Sequence, residues 1–490
     1  MTTNCPFHHP GTANRATGAI GPYTGTMGGF HIENFGCRAA RADGEAVADR
    51  LRSAGMPEKT PRDANVVVVN TCSVTAEADR AARAFIRRTH RANPEAKIVV
   101  TGCYAQRAPQ ELAAMAGVAA VVGNSHKALA PQIVLGLTAN NSPAAPAANI
   151  IPASALLASA SAPIWAGDSF AHSFLEESQV VPGVQTRPNL KIQEGCGNRC
   201  SFCVIPMTRG NSRSLPAASV LRQVEGFVAA GGNELVLSGI NLGRWGLDRW
   251  GIDLPQLARL ATLVRFIVEQ APLPRLRLSS IEPMDWDDDL IGLMREYGGT
   301  RIARHAHLPL QSGSDAVLRR MHRRYRPWHY AEKVQKLIDA AGEDLTLGAD
   351  VMVGFPAESD AEFEETLTMV RALPFGYLHL FPFSPRPGTP AWASHQAAPV
   401  RPQVVEERLA ALRALAAEKL LAHRTRFIGR ELEAITLHTP PGMVAVGRSA
   451  ALTENFLPVA LQGSFEANKL IRVQVVALNA ERELLAVVAA

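Results

Sequence analysis

Apolar residues near the start of the chain fall into short β-branched runs that are separated by a helical pattern. The runs at 65–69 and 97–101 are typical of buried parallel strands. Residues 75–92 between them are rich in Ala, Arg and Glu and are followed by Pro94, so a helix is predicted to end before that proline. This strand–helix–strand unit predicts a small α/β domain, which we place at residues 29–138.

The same alternation of strand and helix patterns returns after residue 187. Six apolar strand candidates follow, most of them separated by helical patterns, at 190–193, 234–238, 275–279, 303–310, 345–353 and 377–383. Repeated βα units with right-handed crossovers close into a barrel or form an open wound sheet. Because a complete barrel has eight such units, these six predict a partial barrel, in a domain at residues 188–425.

Three further segments complete the predicted order of domains. Residues 1–28 form an N-terminal extension that we expect to be disordered. Residues 139–187 are rich in Ala, Pro, Ser and Asn, which predicts a linker. Beyond Ile428 the pattern changes to short strands and predicts a small all-β barrel at 426–490. The fold class is therefore α/β, with an N-terminal α/β domain, a central partial barrel and a C-terminal β-barrel.

Composition narrows the class of protein. With 490 residues the chain is too long for one hydrophobic core, and 47% apolar and 19% charged residues are ordinary for a globular protein. A net charge of +5 is compatible with a polyanionic partner but does not require one. The N-terminus lacks the apolar core of a signal peptide, and prolines interrupt the alanine-rich stretch at 144–167. We therefore expect a cytoplasmic protein without a membrane span, whose seven cysteines stay reduced.

Three of these cysteines, Cys196, Cys200 and Cys203, lie directly after a strand candidate with the spacing CxxxCxxC. Thiolates select iron–sulfur clusters or zinc, and no fourth cysteine or histidine lies nearby to complete a structural zinc site. A cubane held by three cysteines leaves one iron open to a small molecule. The spacing therefore favours an iron–sulfur cluster over a zinc loop or three buried structural cysteines.

A second trio, Cys37, Cys72 and Cys103, is far apart in sequence, but each cysteine follows an apolar strand candidate. The carboxyl ends of parallel strands share one edge, so these thiols are predicted to converge there and hold a second cluster. The alternative is that each is a small buried hydrophobe, as free cysteines often are. Cys5 has no such context.

The CxxxCxxC spacing is the signature of the radical S-adenosylmethionine enzymes, and both trios together resemble their methylthiotransferase family. Within that family the chain is most similar to the tRNA enzymes that act on threonylcarbamoyladenosine. The segments that carry this similarity are 68–80, 93–106, 275–283, 305–325 and 381–392. Residues 447–461 resemble the RNA-contacting segment of the family's C-terminal TRAM barrel.

The resemblance implies two 4Fe-4S clusters, S-adenosylmethionine and tRNA as substrate, with an electron donor such as flavodoxin or ferredoxin; the oligomeric state stays open. Such an enzyme inserts sulfur at C2 of a hypermodified adenosine beside the anticodon and then methylates it. One S-adenosylmethionine is the methyl donor and a second is the radical source, which an unreactive aromatic C–H requires. The trio at 196–203 would cleave S-adenosylmethionine, and the other trio would hold the auxiliary cluster.

The sequence departs from the family pattern at several positions. Ala40 and Gly44 stand where Asn and Ser are usual after the first cysteine, and Met207 stands where an aromatic is common. Ala357 replaces the glycine of a usual GFPGE segment. The first two differences concern the surroundings of Cys37, not the predicted ligand itself.

Polar residues at the ends of the barrel strands are candidates for binding S-adenosylmethionine, because barrel enzymes place their site residues there. These residues are Ser238, Ser280, Glu282, Gln311 and Asp350. Each of them could instead be a capping or turn residue. His305 and His307 alternate on one strand and should face the same side, where hydrogen bonding is favoured over zinc binding.

A basic cluster with interleaved aromatic residues follows the fourth barrel strand and is a candidate for contacts with RNA phosphates. Its members are Arg319, Arg320, Arg323, Arg324 and Arg326. The alternative is a solvated helix end.

Three other functions remain open. Related methylthiotransferases act on isopentenyladenosine in tRNA or on an aspartate of a ribosomal protein. An iron–sulfur electron-transfer or sensor protein belongs to another class, but it would not need a large barrel with polar strand ends. A dehydrogenase is excluded because no GxGxxG follows the first strand.

Overall fold

The computed structural model describes residues 28–138, 161–170, 186–248 and 259–489. The predicted N-terminal extension, apart from its last residue, lies outside the described residues, as do Cys5 and most of the predicted linker. Within the described ranges no helix is both long and apolar enough to cross a membrane.

The N-terminal domain is a five-stranded parallel sheet with the strands in sequence order. Its strands are β1 (Phe30–Asn34), β2 (Val66–Thr71), β3 (Lys97–Gly102), β4 (Val118–Gly123) and β5 (Ile164–Trp165). Its helices are α1 (Arg38–Ser53), α2 (Ala76–Ala92), α3 (Cys103–Arg107), α4 (Pro109–Ala113) and α5 (Ala130–Thr138).

The valines of β2 explain why this sheet is covered on both faces. Val66 and Val68 pack into one core and Val67 and Val69 into the other, because successive side chains of a strand point to opposite faces. Thr75 caps the amino end of α2, since its hydroxyl accepts a hydrogen bond from the Ala78 backbone amide at 3.2 Å.

The predicted linker is partly wrong, because it contains β5. Ile164 and Trp165 of this strand pair with Val121 and Val122 of β4 and complete the edge of the N-terminal sheet. Two apolar residues between prolines, serines and glycines give too short a pattern for a strand prediction from sequence. The partner strand supplies the backbone hydrogen bonds that decide the local structure.

The central domain has six parallel strands and one short antiparallel edge strand. Its strands are β6 (Asn189–Glu194), β7 (Arg213–Ser214), β8 (Glu234–Gly239), β9 (Arg275–Leu278), β10 (His305–His307), β11 (Thr346–Val353) and β12 (Phe375–Pro382). Its helices are α6 (Ile205–Arg209), α7 (Ala217–Ala229), α8 (Leu260–Gln270), α9 (Asp288–Tyr297), α10 (Asp315–Arg320), α11 (Pro327–Ala341), α12 (Asp360–Ala372), α13 (Pro390–Ala397) and α14 (Pro402–Thr425).

These strands form the predicted partial barrel. One sheet has the order β7-β6-β8-β9 and the other β10-β11-β12, and a parallel bridge between Leu276 and Ile302 joins the two. All six strand candidates are confirmed, although β10 is shorter than predicted. Apart from the edge strand β7, which pairs antiparallel with β6, every pairing is parallel, so the carboxyl ends of six strands share one end of the barrel.

The C-terminal domain is a closed barrel with the strand order β13-β14-β15-β17-β16. Its elements are β13 (Glu431–Thr436), α15 (Pro441–Ala445), β14 (Arg448–Thr453), β15 (Pro458–Gln462), β16 (Leu470–Leu478) and β17 (Leu484–Val488). It packs against the amino ends of the central strands, where Arg304 donates to Glu454 at 2.8 Å. The ring of Phe456 also stacks on His305, with centroids 4.2 Å apart.

This contact covers part of the segment that resembles an RNA-contacting stretch. Glu454 and Asn455 are buried, with 1% and 0% of their surface exposed. The tip of the segment therefore faces the central barrel rather than solvent.

Two departures from the family pattern have visible consequences. Ala357 adopts a left-handed backbone with φ of +58°, which explains why glycine is usual there. At Gly44 an added Cβ would lie 1.8 Å from Asn34 Oδ1, so the small residue is matched to that asparagine.

Candidate active site

The loop that carries Cys196, Cys200 and Cys203 joins β6 to α6 at the carboxyl end of the partial barrel. Gly195 begins this loop with φ of +70°, and an added Cβ there would lie 2.0 Å from the backbone oxygen of Asn211. Glycine is therefore required where the chain leaves the strand.

Each sulfur of this trio accepts a hydrogen bond from a nearby donor. The donors are Asn198 N and Asn241 Nδ2 to Cys196, both at 3.4 Å, Arg323 Nη1 to Cys200 at 3.3 Å and Ile205 N to Cys203 at 3.5 Å. Burial, together with the neighbouring Cys200 and Cys196, raises the pKa of Cys203 to about 12. The thiols therefore lie close together in a site whose donors suit sulfur ligands that carry negative charge.

The second trio also converges, at the carboxyl edge of the N-terminal sheet. Burial raises the pKa of Cys72 to about 12, and its neighbours Cys103 and Cys37 act in the same direction. Cys103 Sγ accepts hydrogen bonds from Asn124 Nδ2 and Arg209 Nε, both at 3.3 Å. The predicted meeting of three distant cysteines is thus present in the fold.

Both trios fit a cluster better than a single ion. Tetrahedral zinc with bonds of about 2.3 Å places its sulfurs about 3.8 Å apart. In the described part of the chain, neither trio has all three sulfurs within 4.8 Å of one another. Such wider triangles suit a larger inorganic unit with three protein ligands.

Buried polar atoms without partners lie beside both trios. Among the described residues, Asn241 Oδ1 beside the first trio and Arg209 Nη2 beside the second have no hydrogen-bond partner, and neither has Gln311 Oε1, which follows β10. Buried polar atoms are normally paired, so these atoms are available to a bound group.

The two trios lie close to each other because α6 connects them. Cys203 precedes this short helix, and Arg209 at its end donates to Cys103 of the other domain. Six residues at a helical rise of 1.5 Å span on the order of 10 Å. The carboxyl ends of the two sheets therefore face each other across a short distance.

A buried ion network holds the two domains together at this point. Asp43 and Lys127 come from the N-terminal domain, and Lys191, Glu194 and Arg209 from the central one. Arg209 Nη1 lies 3.0 Å from Asp43 Oδ2 and 2.6 Å from Glu194 Oε1. Burial alone would raise the pKa of Glu194, but the surrounding cations hold it well below its ordinary value. Three cations face two carboxylates, which leaves positive charge beside Cys103.

Replacing Arg209 with Met should therefore lower the free energy of unfolding by roughly 3 kcal/mol, since each of the two buried carboxylates loses a charge-assisted hydrogen bond while Lys127 and Lys191 remain. Urea unfolding followed by circular dichroism measures this loss. The matched control is Arg265→Met, because Arg265 also binds two carboxylates, Glu269 and Glu296, but at the surface. Equal transition midpoints for the two variants would contradict the importance of the buried network.

The candidates for binding S-adenosylmethionine do not all occupy equivalent positions. Glu282 forms an ion pair with Arg323, which itself contacts Cys200, and Gln311 adopts a left-handed backbone with its side-chain oxygen unpaired in the described structure. Ser238 is buried within β8, and Ser280 is exposed. Asp350 instead accepts hydrogen bonds from two histidines deeper in the barrel.

One member of the basic cluster is corrected by the structure. Arg323 is buried and contacts Cys200 and Glu282, so its guanidinium is not available to a phosphate. The other four arginines keep at least partly accessible side chains, and each lies beside a carboxylate: Arg319 and Arg326 at Asp315, Arg320 at Glu362 and Arg324 at Asp285.

The alternating histidines share one hydrogen-bonding partner. His305 Nε2 and His307 Nδ1 lie 2.7 Å and 3.0 Å from the Tyr377 hydroxyl, so both rings face the same side.

Sequence reasoning missed Asn124, Asn241 and Arg209, which all donate to cysteine sulfurs. Of these three, only Arg209 could have been suspected from the sequence, because it lies six residues beyond Cys203 and a cation is favoured beside negatively charged cysteine ligands. The two asparagines are ordinary loop residues in the sequence.

Residues 29–123 match the family described as Uncharacterized protein family UPF0004, and residues 190–370 match the Radical SAM superfamily. Threonylcarbamoyladenosine tRNA methylthiotransferase MtaB from Aquifex aeolicus is 33% identical over 90% of this chain and 98% of its own. The protein of that name from Bacillus subtilis is 33% identical over 91% and 93%. The chain belongs to the methylthiotransferase family of radical S-adenosylmethionine enzymes.

Other methylthiotransferases and one solved structure agree with this assignment. tRNA-2-methylthio-N(6)-dimethylallyladenosine synthase from Parafrankia sp. is 33% identical over 83% of this chain and 77% of its own. The radical S-adenosylmethionine methyltransferase TsrM from Kitasatospora setae superposes with a TM-score of 0.53 over 75% of this chain and 77% of its own, at 14% identity. That likeness shows the fold alone.

Family membership confirms the predicted class of enzyme and its cofactors. A methylthiotransferase of this superfamily uses S-adenosylmethionine and 4Fe-4S clusters. The donor set, the spacing of the sulfurs and the unpaired buried atoms in this chain all fit those groups.

Proposed function

We propose that this methylthiotransferase adds a methylthio group to C2 of N6-threonylcarbamoyladenosine beside the anticodon of tRNA. The observation that carries the proposal is similarity along nearly the whole chain to relatives named for that activity, at 90% and 91% coverage. The dimethylallyladenosine relative has the same identity but aligns over 83% of the chain. Its reaction on isopentenyladenosine is therefore the second candidate.

Cys196, Cys200 and Cys203 are our proposed ligands for the cluster that binds S-adenosylmethionine, and Cys37, Cys72 and Cys103 for the auxiliary cluster. When bound, these groups supply the reductive cleavage of S-adenosylmethionine and the sulfur for insertion.

The side chains around the first trio have proposed roles in binding and orientation. Arg323 fixes Cys200 and Glu282 together, since it contacts both and also donates to the Tyr325 hydroxyl at 3.2 Å. Gln311 offers a buried acceptor to the amino group of S-adenosylmethionine. Ser238 and Ser280 complete the proposed surroundings of that cofactor, whereas Asp350 is bound by His307 and His379 deeper in the barrel.

Arg209 and Asn124 are proposed to stabilise charge on Cys103 of the auxiliary site, because charge-assisted hydrogen bonds to a ligand strengthen with its negative charge. Because α6 is short, the two centres adjoin each other. This supports the action of both centres on one bound adenosine rather than two independent reactions.

Binding of the tRNA itself is proposed to use the partly accessible arginines 319, 320, 324 and 326, with the C-terminal domain acting as a TRAM-type RNA-binding barrel. A reduced flavodoxin or ferredoxin is the proposed electron donor, and the cytoplasm, where tRNA is found, is the proposed location.

Mass spectrometry of tRNA nucleosides from cells with and without the gene tests the substrate. We expect 2-methylthio-N6-threonylcarbamoyladenosine to disappear from the deletion strain and its precursor without the methylthio group to accumulate. Loss of the isopentenyl analogue instead would keep the chemistry and change the substrate. Unchanged tRNA nucleosides would contradict tRNA methylthiolation and favour a ribosomal-protein substrate.

A further inference from the structure

The interior of the partial barrel carries a chain of polar side chains below the cysteine sites. Ala306 and Ala349 pack into the core beneath the helices, so the alternating His307 and Asp350 face the interior. Asp350 Oδ1 lies 3.1 Å from His307 Nε2 and 3.2 Å from Nδ1 of His379 on β12. One carboxylate oxygen therefore accepts from two imidazoles.

The remaining hydrogen bonds fix the direction of this chain. His307 donates through Nε2 to Asp350, so in the neutral ring its Nδ1 accepts from the Tyr377 hydroxyl at 3.0 Å. Tyr377 in turn accepts from His305 Nε2 at 2.7 Å. His305 Nδ1 then needs no proton, which agrees with its lack of a partner in the described structure. No described residue binds Nε2 of His379, and 63% of this side chain is exposed at the open end.

Two neighbouring residues pack against Tyr377 and fix its position in this chain of side chains. At Gly348 an added Cβ would lie 2.1 Å from the Tyr377 ring, so glycine lets the tyrosine lie across β11. Phe456 of the C-terminal domain forms the floor, with its ring centroid 5.4 Å from that of Tyr377. The ring of Tyr377 is therefore held between β11 and an aromatic ring, with its hydroxyl at the two histidines.

A cation from the N-terminal domain lies near Tyr377. Arg38 follows Cys37 at the start of α1, and its guanidinium has no hydrogen-bond or ion-pair partner among the described residues. Helix α1 packs against β6 and β8 of the partial barrel, and Arg38 at its start lies close enough to Tyr377 for the charges of the two side chains to act on each other. The guanidinium presents several free donors next to the proposed auxiliary site.

We propose that Arg38, His307, Asp350, Tyr377 and His379, which we name the imidazole pocket, bind a polar, carboxylate-bearing substituent on N6 of the target adenosine. This assignment rests on the proposed function and names the groups that would read its substrate. A threonylcarbamoyl group carries a carboxylate, a hydroxyl and a urea. Arg38 matches the carboxylate, and His379 and Tyr377 match the neutral polar groups. An isopentenyl group would leave Arg38 and Nε2 of His379 without a partner, whereas His307, Asp350 and Tyr377 keep the bonds that they make within the chain of side chains.

The position of the pocket agrees with such a role. The Asp350 backbone oxygen accepts from the backbone amide of Gln311 at 2.8 Å. The carbonyl of the preceding Leu310 accepts from the Tyr325 hydroxyl, and Arg323 links that tyrosine to Cys200. Arg38 adjoins Cys37 of the second trio. A substituent held in the imidazole pocket would therefore keep the attached adenine between the two cysteine sites.

Binding of anticodon stem-loops to the anaerobically reconstituted enzyme tests the pocket through fluorescence anisotropy. The stem-loops carry threonylcarbamoyladenosine, isopentenyladenosine or adenosine at the target position. We expect the wild type to prefer the first by on the order of 100-fold. His379→Leu and Arg38→Leu should each reduce that preference by about tenfold without changing the affinity for the adenosine stem-loop. Arg222→Leu, at an exposed position on α7, is the control for removal of a positive charge.

The outcomes separate the pocket from the proposed function. A wild type without preference for threonylcarbamoyladenosine would overturn the proposed substrate, and the pocket with it. A wild-type preference that both variants keep in full would overturn the pocket alone. Iron analysis shows whether Arg38→Leu has disturbed the nearby Cys37. His379 lies in the central domain, so His379→Leu should leave that cysteine unaffected. Zinc that binds the wild type stoichiometrically but not His379→Leu would assign these histidines to a metal site instead.

Discussion

Replacing Cys200 with alanine is expected to abolish the cleavage of S-adenosylmethionine and to lower formation of 5′-deoxyadenosine at least about 1000-fold. The change removes one of three protein ligands, whereas the loss of a supporting group alone typically costs 10–100-fold. It also leaves Arg323, which is buried, without its sulfur partner. Anaerobic assays with dithionite as reductant, read by mass spectrometry, measure the product directly.

Iron content and a second cysteine variant provide the controls. Iron should fall from about eight to about four atoms per chain, since the other trio remains. Cys5→Ala is the matched substitution, because Cys5 has no strand context in the sequence and belongs to neither trio. Persistent formation of 5′-deoxyadenosine by Cys200→Ala would show that this trio does not hold the cleaving cluster.

The parts of the site that sequence could predict depend on regular backbone geometry. Cys72 and Cys103 each follow a run of valines that can be buried only as a central parallel strand, and parallel strands end at a common edge. Local pattern and strand direction were therefore enough to bring residues 31 positions apart together. The same geometry placed the CxxxCxxC loop at the carboxyl end of β6.

The parts that sequence could not predict depend on where side chains point after a turn. Arg323 and Arg324 look equivalent in the sequence, but His322 takes a left-handed backbone with φ of +56° after α10. Beyond that reversal Arg323 turns inward to Cys200 and Arg324 outward to Asp285. Composition alone indicated a basic surface, and the direction of the turn is decided by tertiary packing.

The contacts between domains could not be predicted from the sequence either. The partners of Arg209 lie 166 and 15 residues away, and no periodicity links Asp43 with Lys191 or Glu194. These charges can be buried only because both domains supply members of one network. The pairing of His307, Asp350 and His379 likewise needs the register of three strands, which the sequence pattern does not define.

Replacing Cys72 with alanine, in contrast to Cys200→Ala, is expected to leave the cleavage of S-adenosylmethionine within a few-fold of wild type. The methylthio product should fall more than about 100-fold. Cys72 is buried in the N-terminal domain beside Cys103 and Cys37, whereas the cleaving trio belongs to the central barrel. Removing one auxiliary ligand thus leaves the first site with all of its ligands and donors. Digested tRNA and 5′-deoxyadenosine, quantified from the same reaction, give both values.

The ratio of the two products separates loss of the auxiliary site from loss of the fold. Because Arg209 joins the sites, a Cys72→Ala variant that undid the domain contact would lose cleavage as well as sulfur insertion. Arg209→Met supplies that reference, since it disturbs the contact without removing a cysteine. Cleavage without methylthiolation in Cys72→Ala therefore assigns the sulfur step to the second trio. Undiminished methylthiolation in that variant would rule out this trio as the source of the inserted sulfur.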